Sequence, residues 1–319
     1  MKKTLALGSA AALGALGAVL AARTLRFKPR EEAAPAPDAV RVDGQKAIDD
    51  LADMIRCKTV SNLDHSLEDA AEFDKFRALL AERFPAVHEK CPPERIGRCG
   101  LLYHWKGEND GAPTVLMAHY DVVPADEATW TKPPFGGVIE DGILYGRGAL
   151  DTKITLCSCL EAAEQLIKSG FTPKNDIYFA FSGEEEIAGD SAADIVDELQ
   201  RRGVVPAFVL DEGGAVVSGV FPGVDAPCAL VGTSEKGQMQ LFLDMKSEGG
   251  HASAPPRSTI VGKLAKAVTR IEKKPAPFTL TPPAAEMFDT LGRRSTLPVR
   301  MVFAYLWLFR PVLDLATCL

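Results

Sequence analysis

The chain has 319 residues, with 36 Lys and Arg against 43 Asp and Glu, a formal net charge of −7 at pH 7. Its 46% hydrophobic and 25% charged residues exclude wholesale disorder, collagen and a polytopic membrane protein. A mildly acidic chain without a long Lys/Arg run is not expected to bind nucleic acid. The length predicts about two domains and a core large enough to fold without disulfides.

Lys2 and Lys3 precede Thr4–Ala22, a run of 19 uncharged residues. The run exceeds the ~7–15 residues of a secretory apolar core and approaches the ~20 of a spanning helix. Arg23, Arg26, Lys28 and Arg30 follow at once, as in a stop-transfer flank. Residues 1–30 are therefore read as a signal or membrane-anchor segment, which predicts an anchored or secreted protein. Residues 31–39, rich in Pro, Ala and acid, read as a linker, with the folded part beginning near Val40.

Helical spacing and charge predict helices over 45–56 and 67–83, and 101–105 is a short apolar run. Residues 114–123 (TVLMAHYDVV) read as a buried strand, 152–169 as a helix, 176–181 (DIYFAF) as a strand, 188–202 as a helix and 207–210 (AFVL) as a strand. This alternation predicts an α/β fold with a mixed, largely parallel sheet flanked by helices. An alternating strand over 237–246 and an amphipathic helix over 259–273 follow. The seven cysteines contain no CxxC, which argues against a zinc knuckle or thioredoxin-type site. Cys91 and Cys99 could close a small loop in an oxidising compartment.

Ligands of such sheets bind beyond the carboxyl ends of the strands. The first buried strand ends in His119-Tyr120-Asp121, the second in Ser182-Gly183-Glu184-Glu185-Glu186, the third in Asp211-Glu212-Gly213-Gly214, and Asp151 opens the intervening helix. Each has an ordinary reading: a polar strand end, a helix N-cap for Asp151, a solvated acidic turn, a turn Asp at 211. Together they gather one imidazole and several carboxylates, which would repel without a cation. Mixed imidazole and carboxylate donors suit zinc or a similar divalent ion. Two metals sharing a carboxylate could activate a water, with one further carboxylate free to take its proton.

Five ordered segments strengthen this reading: MAHYDVVP (Met117–Pro124), WTKPPFGGVIEDGILYGRGALDTK (Trp130–Lys153), FSGEEEIAG (Phe181–Gly189), VLDEGG (Val209–Gly214) and GGHASAPP (Gly249–Pro256). They resemble the dinuclear zinc aminoacylase and carboxypeptidase family, and look most like its carboxypeptidase S and N-fatty-acyl-amino-acid hydrolase branch. The resemblance implies a catalytic metal-binding domain over 40–232 and an inserted, smaller α+β lid and dimerisation domain over 233–319. It implies two Zn2+, or another divalent ion such as Co2+. His119 and Asp211 would ligate the first metal, Glu186 the second, and Asp151 would bridge them through a residue followed by a cis peptide. Asp121 would orient His119, Glu185 would be the general base, and Glu184 is given no role. His251 would hold the substrate carboxylate or oxyanion, often across a dimer. The implied activity is hydrolysis of an amide next to a free carboxylate, in a small peptide or N-acyl amino acid. The family has one more histidine ligand after the lid, whereas no His follows His251. This predicts an incomplete lid domain, a fragment lacking that ligand, and, as the alternative to an enzyme, a non-catalytic metal binder.

Overall fold

The computed structural model of the protein describes residues 14–15, 17–29, 42–234, 237, 239–251, 253–254, 256–274 and 279–308. Two compact units divide the chain: Pro37–Glu212, and Gly213–Leu319 together with Met1–Ala36. The first unit ends at Glu212, ahead of the 232/233 boundary expected from sequence. Gly213 and Gly214 follow at once, with φ of 95° and 76°, a conformation open to glycine at no steric cost.

The first unit is built on a five-stranded sheet in the order β1-β2-β6-β3-β7. Its strands are β1 (Glu94–Ile96), β2 (Gly100–Trp105), β3 (Thr114–His119), β6 (Ile177–Ser182) and β7 (Phe208–Leu210). A separate two-stranded ribbon pairs β4 (Val138–Glu140) with β5 (Ile143–Tyr145). The sheet is mixed: β6, β3 and β7 run parallel, while β1, β2 and β6 pair antiparallel. The near-continuous burial of β2 and β6 follows from helices covering both faces. One face carries Phe76, Leu80, Tyr103, Trp105, Leu156 and Phe181, among others. The other carries Leu102, Val115, Tyr178 and Ala180 under Ile195 and Leu199 of the helix Ser191–Arg201. Helices Gly44–Ile55 and Ala70–Arg83 start where Asp43 and Asp69 accept from backbone N–H groups, satisfying donors that a helix start leaves free.

The sheet register positions the functional rim. His119 lies opposite Ser182 across the β3–β6 pair, so both strands end level. Across β3–β7, Thr114 lies opposite Phe208 and Leu116 opposite Leu210, which brings the residues just after β7 to the same rim.

The second unit contains a short pairing of β8 (Val216–Val217) with β9 (Cys228–Ala229) and helices Ile260–Glu272, Pro282–Arg294 and Leu297–Ala304. Residues 17–26 are helical and belong to this unit, where Val19 O accepts from Tyr305 Oη at 2.9 Å and Arg293 stacks on Phe27. The strand expected over 237–246 does not form among the described residues. Phe242 is exposed there, so the alternation finds no partner strand to pack against.

Among the described residues no helix is long and apolar enough to cross a membrane. Residues 1–13, 16 and 30 of the expected targeting segment and all of the expected linker, 31–39, lie outside the described residues, as do 309–319 of the expected lid domain. Cys91 and Cys99 are buried free thiols.

Candidate metal centre

His119 ends β3 at 1% exposure. Its Nδ1 lies 3.0 Å from the Asp121 carbonyl oxygen and 3.4 Å from Asp121 Oδ1, leaving Nε2 to face the rim. Nε2 is 2.9 Å from Asp151 Oδ1, 3.4 Å from Glu212 Oε2 and 3.7 Å from Glu185 Oε2. His119, Asp151 and Glu212 each offer a ligand atom within 4.8 Å of the others.

Asp151 is exposed while Thr152 and Lys153 are buried, and the Asp151–Thr152 peptide is cis. The helix Ile154–Lys168 begins at Lys153 without a side-chain cap, so Asp151 is not its N-cap. Lys153 Nζ donates to the carbonyls of Met54 at 2.9 Å and Cys57 at 2.8 Å, pegging the chain behind Asp151. Burial pulls its ammonium down to about 7.

Asp121 is fully buried. Its carboxylate accepts from Ser61 Oγ at 2.7 Å, from Glu185 N–H at 3.0 Å and from Glu186 N–H at 3.1 Å. One side chain thus backs the imidazole and pins the turn that presents both glutamates, an arrangement that fixes a ligand's orientation. The Glu185 side chain is half exposed. Burial raises its carboxyl, aided by Glu212 and Glu186 and opposed by His119. Glu186 is raised by burial and by Asp151.

The structure brings together His119, Asp121, Asp151, Glu185 and Glu186 of the residues expected from sequence. Asp211 does not join the group of three: it is exposed, and its Oδ1 accepts from Glu212 N–H at 2.9 Å. Its neighbour Glu212 reaches His119 instead, a residue passed over in the sequence. Continued past Leu116 opposite Leu210, the β3–β7 register brings both 211 and 212 to within two residues of the end of β3, so it does not choose between the adjacent acids; the side-chain positions do. His251 lies in the second unit, exposed, with its carbonyl accepting from Ala254 N–H.

The donors fit a divalent cation. Burial alone would lower the His119 imidazole, but hydrogen bonds and charge from Asp121 and Glu212 push it up to about 11. The hydrogen bond from His119 lowers Glu212 in turn. An imidazole and two carboxylates whose ligand atoms lie within 4.8 Å of one another are a donor set that suits zinc or a similar divalent ion.

Residues 115–308 match the model of Peptidase family M20/M25/M40. The chain is 38% identical over 275 residues to "N-fatty-acyl-amino acid synthase/hydrolase PM20D1" of Xenopus tropicalis, covering 85% of this chain and 54% of that protein. It is 35% identical to "Probable carboxypeptidase S-like 2" of Dictyostelium discoideum, covering 93% and 59%. The chain thus spans little more than half the length of these relatives. Among solved structures, the M20 family metallo-carboxypeptidase Sso-CP2 from Sulfolobus solfataricus aligns with a TM-score of 0.45 at 21% identity, over 53% of this chain and 38% of that one. The match across the strands and turns that carry His119, Asp151, Glu185 and Glu212 makes this chain a member of the M20/M25/M40 peptidase family.

Proposed function

We propose that the chain carries the metal site of a hydrolase that cleaves an amide next to a free carboxylate, in a small peptide or an N-acyl amino acid. The observation that carries this reading is the convergence of His119, Asp151 and Glu212 within 4.8 Å, with Glu185 Oε2 3.7 Å from His119 Nε2.

His119, Asp151 and Glu212 would hold one Zn2+, and Asp151 with Glu186 a second. Bound there, zinc lowers the pKa of a water and polarises the substrate carbonyl. Glu185 takes the proton of the attacking water and returns it to the leaving amine. Asp121 keeps the His119 Nε2 lone pair aimed at the metal. His251 is the candidate for the substrate carboxylate, supplied within the chain or by a second copy paired through the lid. The names of the relatives support N-acyl amino acids as the first substrates to try, and an anchored or secreted location fits the N-terminal segment.

The test is zinc content together with hydrolysis of N-acyl amino acids and dipeptides, in the parent and in Glu185→Gln. Zinc in both with turnover only in the parent supports the reading. Zinc without turnover in either supports a non-catalytic metal binder, the reading favoured by the single imidazole in the cluster. A parent that takes up no zinc contradicts both.

A further inference from the structure

Glu184 has no part in the proposed chemistry, yet it is 4% exposed, unusual for a carboxylate unless it is paired. Its partner is Arg98, in the turn between β1 and β2. Arg98 Nε and Nη2 lie 2.7 and 2.6 Å from Glu184 Oε1. The same guanidinium reaches a second buried carboxylate, with Nη1 2.6 Å from Glu68 Oε2 and Nη2 3.3 Å from Glu68 Oε1. Glu68 Oε1 also accepts from Asn62 N–H at 3.0 Å and lies 3.1 Å from His65 Nδ1.

Both arms lead to Asp121. Through Glu184 the path runs along the chain to Glu185, whose N–H donates to Asp121 Oδ1 at 3.0 Å. Through Glu68 it runs to Asn62 and its neighbour Ser61, whose Oγ donates to Asp121 Oδ2 at 2.7 Å. The contacts close a ring: Arg98, Glu184, Glu185, Asp121, Ser61, Asn62, Glu68 and back to Arg98. Gly183, next to Glu184, is closely packed: an added Cβ would come within 2.7 Å of Cys99 Cβ and of Tyr120 Cζ and Oη. The ring joins four segments far apart in sequence, at 61–68, 98, 121 and 184–185, and Arg98 is the guanidinium set between its two outer carboxylates.

We infer that Arg98 is a positioning residue that locks the 183–186 turn onto Asp121 and so sets the places of Glu185 and Glu186. Without the guanidinium, the buried carboxylates of Glu68 and Glu184 lose the cation they share and keep only the His65 ring, 3.1 Å from Glu68 Oε1 and 3.8 Å from Glu184 Oε1, and a buried charge stripped of its partner is costly. One or both must turn out to water, and the turn loosens with them. A planar fork suits this double contact, whereas a lysine offers a single compact charge. The consequence for metal binding rests on the function proposed above; the placement of the turn does not.

The experiment is amide hydrogen exchange of the metal-free 319-residue chain, followed by zinc titration. Arg98→Ala is expected to speed exchange of the Glu185 and Glu186 amides by about tenfold or more, while amides inside β2, β3 and β6 keep their protection. Zinc affinity is expected to fall by about 10–100-fold, as for other groups that orient metal ligands. Arg98→Lys keeps the charge without the fork and serves where the alanine variant does not fold. It is expected to show a smaller acceleration at the same two amides. Unchanged exchange at Glu185 and Glu186, or an equal rise in every strand, overturns the inference. A parent chain that binds no zinc contradicts the proposed function instead, and leaves the exchange comparison to decide the ring.

Discussion

Asp121→Asn is the sharpest perturbation of the site that keeps its shape. The native carboxylate uses Oδ1 for Glu185 N–H at 3.0 Å and Oδ2 for both Glu186 N–H at 3.1 Å and Ser61 Oγ at 2.7 Å. An amide keeps one acceptor oxygen and replaces the other with a donor. Ser61 can turn to accept from the new NH2, but two backbone N–H groups then compete for one oxygen. A buried donor left unpaired costs about 1–3 kcal/mol. The charge behind His119 is also lost, and changes to such orienting groups lower metal affinity by about 10–100-fold. Denaturant unfolding of the metal-free protein should show the stability loss, and competition with a chromophoric chelator should show the weaker zinc binding. Zinc affinity within twofold of the parent would refute the role given to Asp121.

Four further outcomes are expected. Glu185→Gln should keep its zinc and lose about 10²–10⁴-fold in hydrolysis; loss of zinc would make it a ligand instead. Phe76, fully buried and stacked on Tyr120 at 5.0 Å, should cost about 3–5 kcal/mol when changed to Ala, measured by equilibrium unfolding. His119 is raised from 6.5 to about 11, so its contribution to metal-free stability is complete below pH 6.5 and is lost as pH rises toward 11. Unfolding from pH 6.5 to 10 should show that decline in the parent and a shallower one in His119→Asn. Zinc binding at pH 8 should release about one proton from this group, measured by calorimetry in buffers of different ionisation enthalpy.

The inner strands were legible because burial on two faces leaves a short, nearly unbroken apolar run, as in β3 and β6. The residues at their ends could then be gathered without coordinates: His119, Asp121, Asp151, Glu185 and Glu186 all come from one rim. The cis peptide after Asp151 followed from the resemblance alone. Choosing between Asp211 and Glu212 needed the side-chain positions beyond the end of β7, which two adjacent acids do not declare in sequence. Residues 237–246 alternate as a strand should, but alternation records only the demand for a partner, and none pairs there among the described residues. The Arg98 ring was invisible because its members, from 61 to 185, are joined only by the fold.

The central claim is that the rim holds a divalent metal through His119, Asp151 and Glu212. Zinc titration of the parent beside Glu212→Gln and Asp211→Asn tests it most directly. Tight binding in the parent, kept in Asp211→Asn and lost or greatly weakened in Glu212→Gln, is the expected result. No zinc binding by the parent, or loss in Asp211→Asn with full binding in Glu212→Gln, would contradict it.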